Sequence, residues 1–173
     1  MENTTRNSRL IHASAETIYR AFTDPKALES WFVPEGMTAK MHHFKWNEGG
    51  GYDLSLYYPD SAKHALGKTD RLEDRYKASI RKLIPGKLII LGIHFKTKDP
   101  AFTGEMTLEI TMEEKENGTA VHFLFKDIPP GIKPEENDEG TQSTLNRLAR
   151  YTEPVREIDE QYSDGSANAF DGK

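Results

Sequence analysis

Apolar residues recur in this chain with two different periods, and the period changes near residue 37. Before that point Ile18, Ala21 and Phe22, and then Leu28, Trp31 and Phe32, are spaced three and four apart, as on one face of a helix. Ser14 is placed to cap the first of these helices. Asp24-Pro25 ends it and opens the second, with Asp as N-cap and Pro at the first helical position. Arg9 to His12 predicts a short strand ahead of them, and Val33-Pro34-Glu35-Gly36 stops the second helix. From Met37 the period is two. Met37, Ala39 and Met41 alternate with Thr38, Lys40 and His42, whereas Phe44 and Trp46 fall in phase with the second set. Gly49-Gly50-Gly51 is a turn, after which Tyr52, Leu54, Leu56 and Tyr58 form one face of a half-buried strand. Pro59-Asp60 turns the chain again, and His64 to Asp70 predicts a weaker, polar strand.

Tyr76 to Leu83 alternates only in part, Leu88 to Phe95 is the most apolar stretch, and Thr103 to Met112 alternates cleanly. Asn117-Gly118 predicts a type I′ hairpin turn, which needs positive φ at both positions, and Val121, Phe123 and Phe125 continue beyond it. Past Pro134 the helical period returns over Glu135 to Thr152. Acidic residues fill its first turns, Arg147 and Arg150 lie near its end, and Thr141, Leu145, Leu148 and Thr152 share a face. A strand, two short helices, about six strands and a long helix make an antiparallel α+β domain, with the sheet curved to cover the helix. The expected division is residues 1–152 as the domain and 153–173 as an acidic, disordered tail.

Charge sharpens this picture. The net charge is −5, and the segment from Glu153 holds six acidic and two basic residues, so about −4 lies in the tail. The nearly neutral body has no basic stripe, which argues against a nucleic-acid partner. The chain has no cysteine, which excludes disulfides, thiolate metal sites and cysteine nucleophiles. No apolar run approaches the ~18 residues of a membrane span, and Met1 to Ser8 lacks a signal core, so the expectation is a soluble, cytoplasmic protein. Asn3-Thr4-Thr5 and Asn117-Gly118-Thr119 match the glycosylation pattern but carry no meaning without secretion.

Several blocks carry a family likeness. The run Arg9 to Pro25 resembles the opening of START-like (SRPBCC) domains, and is most similar to the branch that includes the C-terminal domain of the heat-shock protein 90 ATPase activator. Trp31 to Met37, Gly49 to Tyr52, His64 to Thr69, Asp99 to Thr107 and Pro130 to Asn137 resemble later blocks, so the likeness spans roughly residues 6–152. It implies a helix-grip fold, with a cavity between the curved sheet and the C-terminal helix. The likeness is to that one domain of the activator, and at 173 residues the expectation is that the activator's separate N-terminal domain has no counterpart here. Relatives often place a bulky aromatic after the glycine corresponding to Gly140; here Thr141 stands there, a departure that bears on the cavity's size and polarity.

Gly140, Thr141 and Thr144 are small, and would leave room beneath the helix if they face the sheet, with Leu145 and Leu148 sealing the other end. Equally, small residues permit close helix–sheet packing. The other cavity candidates are Trp31, Trp46, Tyr52, Leu54, Leu56, Tyr58, His64, His94, Phe102, Glu105, Met106, Leu108 and Phe123. Each taken alone is better explained as core than as a ligand contact; the polar-tipped Tyr52, Tyr58, His64, His94 and Glu105 could orient a ligand. Glu105 with His94 or Asp99 could also move protons, as in cyclase- or dehydratase-type relatives, but no nucleophile–base–orienter set is visible and no catalytic residue is assigned. A metal site is not expected: His42 and His43 point to opposite faces of a strand, and no histidine pair has helical ligand spacing. Gly67-Lys68-Thr69 resembles the end of a phosphate loop, but Ala62 stands where that loop needs glycine. No cofactor is expected. The expected partner is a hydrophobic small molecule, with a chaperone as the alternative, and the chain as monomer or homodimer.

Overall fold

Seven strands and three helices account for the regular structure in a computed structural model that describes residues 3–59 and 72–154. In chain order these are β1 (Thr5–Ile11), α1 (Ala15–Arg20), α2 (Pro25–Trp31), β2 (Thr38–Lys45), β3 (Gly51–Tyr57), β4 (Glu73–Ile84), β5 (Leu88–Phe95), β6 (Met106–Lys115), β7 (Gly118–Lys126) and α3 (Pro134–Thr152). The strands form one antiparallel, curved, open sheet in the order β1-β7-β6-β5-β4-β3-β2. Strands β2 to β7 meander, and β1 closes the far side by pairing with β7. The architecture is α+β and has the helix-grip arrangement. The strand expected over His64 to Asp70, and most of the acidic tail, lie outside the described residues.

The caps form as their residue types require. Ser14 accepts a hydrogen bond from the Thr17 backbone N–H at 3.1 Å, and Asp24 accepts one from that of Lys26 at 2.9 Å. The inner face of the sheet alternates without interruption along β6 (Met106, Leu108, Ile110, Met112) and β7 (Val121, Phe123, Phe125). Two strands break phase for a physical reason. In β2 the pairing shifts by one residue between Met41 and His43, and a β-bulge there puts Ala39, Met41, Phe44 and Trp46 on the same side. A second shift, between Ile80 and Lys82 of β4, returns Leu83 to the inner side.

Three expectations need correction. The first strand begins at Thr5, four residues before Arg9. Its inner side is polar and is bound by α3: Asn137 donates to the Thr5 hydroxyl at 2.6 Å, Asn7 donates to Asp138 at 2.8 Å, and Arg9 donates to Asn146. The β6–β7 turn sits one residue early, because Lys115 pairs with Gly118 and leaves Glu116 and Asn117 as the loop. Asn117 does not have positive φ. Gly118 does have positive φ, at 152°, and is required for close approach as well: a Cβ on it would lie 2.2 Å from the Ile11 carbonyl oxygen of the neighbouring strand β1.

Candidate functional site

The inner face of α3 changes character along its length. Leu145, Leu148 and Ala149 in its second half are fully buried against the core. Its first half presents Glu136, Asn137, Gly140, Thr141 and Thr144, and between these residues and the sheet lies a cavity of about 310 Å³. A Cβ on Gly140 would meet no atom within 4 Å. The small residues here therefore leave space rather than closing it.

The sheet supplies the floor, in phase with its pleat. Leu56 and, just past β3, Tyr58 meet Asp74 and Tyr76 of β4; Ile93 and Phe95 follow from β5, then Met106 and Leu108 from β6 and Phe123 and Phe125 from β7. Phe32, Pro34 and Met37, from the segment between α2 and β2, form the rim, and Ile132 closes the approach to α3. That rim is tied to the helix. The Glu35 backbone N–H donates to the Ser143 hydroxyl at 2.8 Å, and Arg150 pairs with the Glu35 carboxylate at 2.9 Å.

The polar groups of the wall are few. Asp74 is 1% exposed and stands on the inner side of β4, in the phase of Tyr76, Ala78 and Ile80, where the pattern calls for an apolar side chain. The Tyr58 hydroxyl donates to it at 2.7 Å. Burial foremost, then that hydrogen bond and the charges of Asp74 and Glu136, push the Tyr58 phenol well above its ordinary range, so it keeps its proton. Tyr76 on the floor is hydrogen-bonded to Tyr52 behind it, and burial holds both phenols protonated as well. The hydroxyls of Thr141 and Thr144 donate back to the carbonyls of Asn137 and Gly140, at 2.7 and 2.9 Å.

A family model described as "Activator of Hsp90 ATPase homolog 1-like protein" matches residues 12–153. The chain belongs to this family. Among solved structures, a protein of Chromobacterium violaceum is similar at 30% identity, covering 88% of this chain and 98% of that one, with a TM-score of 0.77. A Nitrosomonas europaea protein shares the fold at 18% identity (92% of this chain, 96% of that one, TM-score 0.67). So does an AHSA1-like protein of Aeromonas hydrophila, at 12% identity (96% and 99%, TM-score 0.64). None of the curated proteins matches this chain.

Of the residues singled out in this family member's sequence, Leu56, Tyr58, Met106, Leu108, Phe123, Gly140, Thr141 and Thr144 meet at the cavity. The others are placed elsewhere. Trp31 is core, its indole N–H donating to the Ala21 carbonyl at 2.9 Å and its ring edge-on to Phe22; its neighbour Phe32 reaches the cavity instead. Trp46 packs beside Tyr19 and Phe44. Tyr52 and Leu54 share the phase of Leu56 but are buried beneath other side chains, as are Leu145 and Leu148. Phe102 supports the turn at Gly131, whose absent Cβ would come within 2.7 Å of its ring. His64 lies outside the described residues.

His94 and Glu105 sit on the opposite face of the sheet. Each directly follows or precedes an inward residue, Ile93 and Met106, so the pleat turns it outward. There the Glu105 carboxylate lies over Gly92 and accepts from Arg81 at 2.6 Å and from His94 at 2.8 Å. The hydrogen bond from His94, then that from Arg81, lowers the Glu105 carboxyl below its usual range. Asp99 is apart from them and caps its own loop by accepting from the Ala101 N–H at 2.9 Å. This trio belongs to the solvent face, not to the cavity. Among the described residues no three metal-ligating side chains gather, and no helix is long and apolar enough to cross a membrane.

Sequence reasoning missed Phe32, Pro34, Met37, Asp74, Tyr76, Ile93, Phe95, Phe125, Ile132, Glu136 and Asn137 as cavity residues. For Asp74 a signal existed. Extending the period of Tyr76, Ala78 and Ile80 back by two residues reaches it.

Proposed function

We propose that this chain binds a small hydrophobic molecule in the cavity between the sheet and the first half of α3. The observation that carries the reading is the composition of the wall: about 310 Å³ bounded mostly by aromatic and aliphatic side chains, with a carboxylate and a tyrosine at one place. Sites for small ligands have this make-up, mainly apolar with a few polar groups that fix orientation. The space exists because Gly140, Thr141 and Thr144 stand where larger residues would fill it.

A ligand that binds only the folded state raises the melting temperature by mass action, by about 2.7 kcal/mol in stability at a hundredfold excess over Kd. A thermal-shift panel of lipids, flavonoids and polyketide-like aromatics, with mass spectrometry of molecules that co-purify, tests the proposal. A shift from at least one class supports it. No shift anywhere in the panel and nothing co-purified would overturn it.

The description of the family favours a second reading, contact with the Hsp90 chaperone. Stimulation of the chaperone's ATPase by the purified chain, with the cavity left unliganded, would support that reading over the first.

A further inference from the structure

We infer that the turn from Pro34 to Met37 is a strap that opens the cavity, and that Glu35, Ser143 and Arg150 form the clasp that sets how often it opens. The inference rests on the cavity-binding reading for its purpose, although its test needs no ligand. It comes from how unequally the connection between α2 and β2 is held along its length.

Both ends of that connection are fixed. The C-terminus of α2 is tied to α3, where Arg147 donates to the Ser30 carbonyl at 2.9 Å. Phe32 is wedged against Phe22, Trp31 and Phe123, with ring centroids at 6.3, 5.1 and 6.3 Å. Val33 is buried. At Thr38 the chain enters β2 and pairs with Tyr57. Between these anchors Pro34 to Met37 make a turn, closed by the Met37 N–H donating to the Pro34 carbonyl at 3.2 Å. Gly36 is its third residue, at φ +81°, as a type II turn requires.

The middle is held lightly. Pro34 and Met37 line the cavity, and Glu35 between them reaches over to α3. The Glu35 N–H donates to Ser143 at 2.8 Å, and its carboxylate accepts from Arg150 at 2.9 Å. Ser143, Arg147 and Arg150 follow one another at four and three residues, so a single stripe of α3 holds the whole connection. Ser143 adjoins Thr144 of the cavity wall, which places the clasp beside the space under Gly140 and Thr144. Glu35 and Arg150 are 68% and 67% exposed, and an ion pair so hydrated holds weakly. Surface grooves lined by both residues flank the clasp, so the turn has solvent to move into. Opening the strap breaks one hydrogen bond and one screened pair and leaves the Phe32 anchor in place. Contacts this few leave an open state populated at about 0.1–10%.

The chain has no cysteine, so one introduced thiol reports access to the cavity. Thr144→Cys puts it on the wall, and Gly140→Cys is the second reporter should the first not fold. Its reaction with 4,4′-dithiodipyridine, a neutral reagent followed by absorbance, is timed on the full chain at pH 7 against that of glutathione. The reporter is expected to react at least about tenfold more slowly than glutathione, at a rate nearly flat in sub-denaturing urea, as local opening requires. Adding Ser143→Ala is expected to raise the rate about two- to tenfold. Gly36→Ala, whose Cβ would meet none of the described residues within 4 Å but whose positive φ would be strained, is expected to raise it about fivefold or more. Glu35→Gln is expected to raise it by under about fivefold and to remove its dependence on salt. A reporter as fast as glutathione, a rate climbing steeply with urea, or rates unmoved by Ser143→Ala and Gly36→Ala would each overturn the strap and leave the cavity-binding reading standing. An unresponsive thermal-shift panel would instead bring down the binding reading, and the strap's purpose with it.

Discussion

Gly140 offers the sharpest test of whether the space under α3 is real. It stands inside a helix of 19 residues, at a position where a Cβ would have no neighbour within 4 Å. Glycine in a helix interior is less favourable than alanine by about 0.8–1.0 kcal/mol, because the unfolded chain loses more freedom on folding. With no steric clash to offset that gain, Gly140→Ala is expected to stabilise the protein by about 0.5–1 kcal/mol. In a domain of this size that raises Tm by about 1–4 °C. Gly140→Leu goes further, since its side chain occupies part of the roughly 310 Å³. It is expected to fold with a Tm no lower than that of the parent chain, and to weaken binding of any cavity ligand by about tenfold or more, which is 1.4 kcal/mol. Differential scanning fluorimetry with urea titration measures the first effect, and calorimetric titration measures the second. A destabilised Gly140→Ala would show that the helix and sheet touch there. A Gly140→Leu chain that binds as the parent does would place the ligand somewhere else.

Tyr58→Phe removes the hydroxyl that donates to buried Asp74, and is expected to cost about 1–3 kcal/mol in urea unfolding. Gly118→Ala forces a Cβ toward a backbone oxygen at 2.2 Å, and with backbone on both sides of the clash a loss of about 2 kcal/mol or more is expected, seen as a lower urea midpoint at unchanged m. Glu105→Gln tests the outer trio through pH. A carboxyl whose folded pKa is lowered contributes stability that is complete above its unfolded value and disappears as pH falls through its folded value. The variant is therefore expected to be less stable at pH 7 by under about 1 kcal/mol, the partial exposure of the pair being a discount. The gap should narrow as pH falls below about 5, and a gap that widened instead would contradict the assignment.

Where one face of an element is wholly apolar, the residues alone reveal its place. Strands β6 and β7 alternate without a break and sit as their pattern predicts, and the face of Leu145 and Leu148 is the face α3 buries. Legibility fails where polar contacts replace apolar ones. The start of β1 carries Thr5, Asn7 and Arg9 inward because α3 answers them with Asn137, Asp138 and Asn146, so no period-two apolar signal exists to be read. It fails again at bulges, since one extra residue at His42 or Arg81 reverses the phase of everything after it. The candidate site was legible in part for the same reason. Its small helical residues stand out, but a strand residue two positions from a cavity residue shares its face without sharing its surroundings. Tyr52 and Leu54 are thus core while Leu56 and Tyr58 line the space. His94 and Glu105 attracted notice for their chemistry, and the pleat turns that chemistry to solvent.

The division of α3 explains how one helix can both hold the fold and leave room in it. Its second half buries two leucines completely, each contributing on the order of 1.5–3 kcal/mol. Its first half is held chiefly by side-chain hydrogen bonds to β1 and to the rim, each contributing about 0.5–1.5 kcal/mol net. Anchoring therefore sits at one end and vacancy at the other. Within a stability of about 5–15 kcal/mol for a domain, Gly140, Thr141 and Thr144 can change in size at small cost, whereas Leu145 and Leu148, and the hydrogen-bonding Asn137, Asp138 and Ser143, cannot. A helix divided in this way lets the space beneath its first half be resized without touching the core beneath its second. In this chain that half presents Gly140, Thr141 and Thr144 above a floor carrying Asp74. The volume of the cavity and the burial of the core are then set by different residues of the same helix, and substitutions at Gly140, Thr141 or Thr144 change the first with little disturbance of the second.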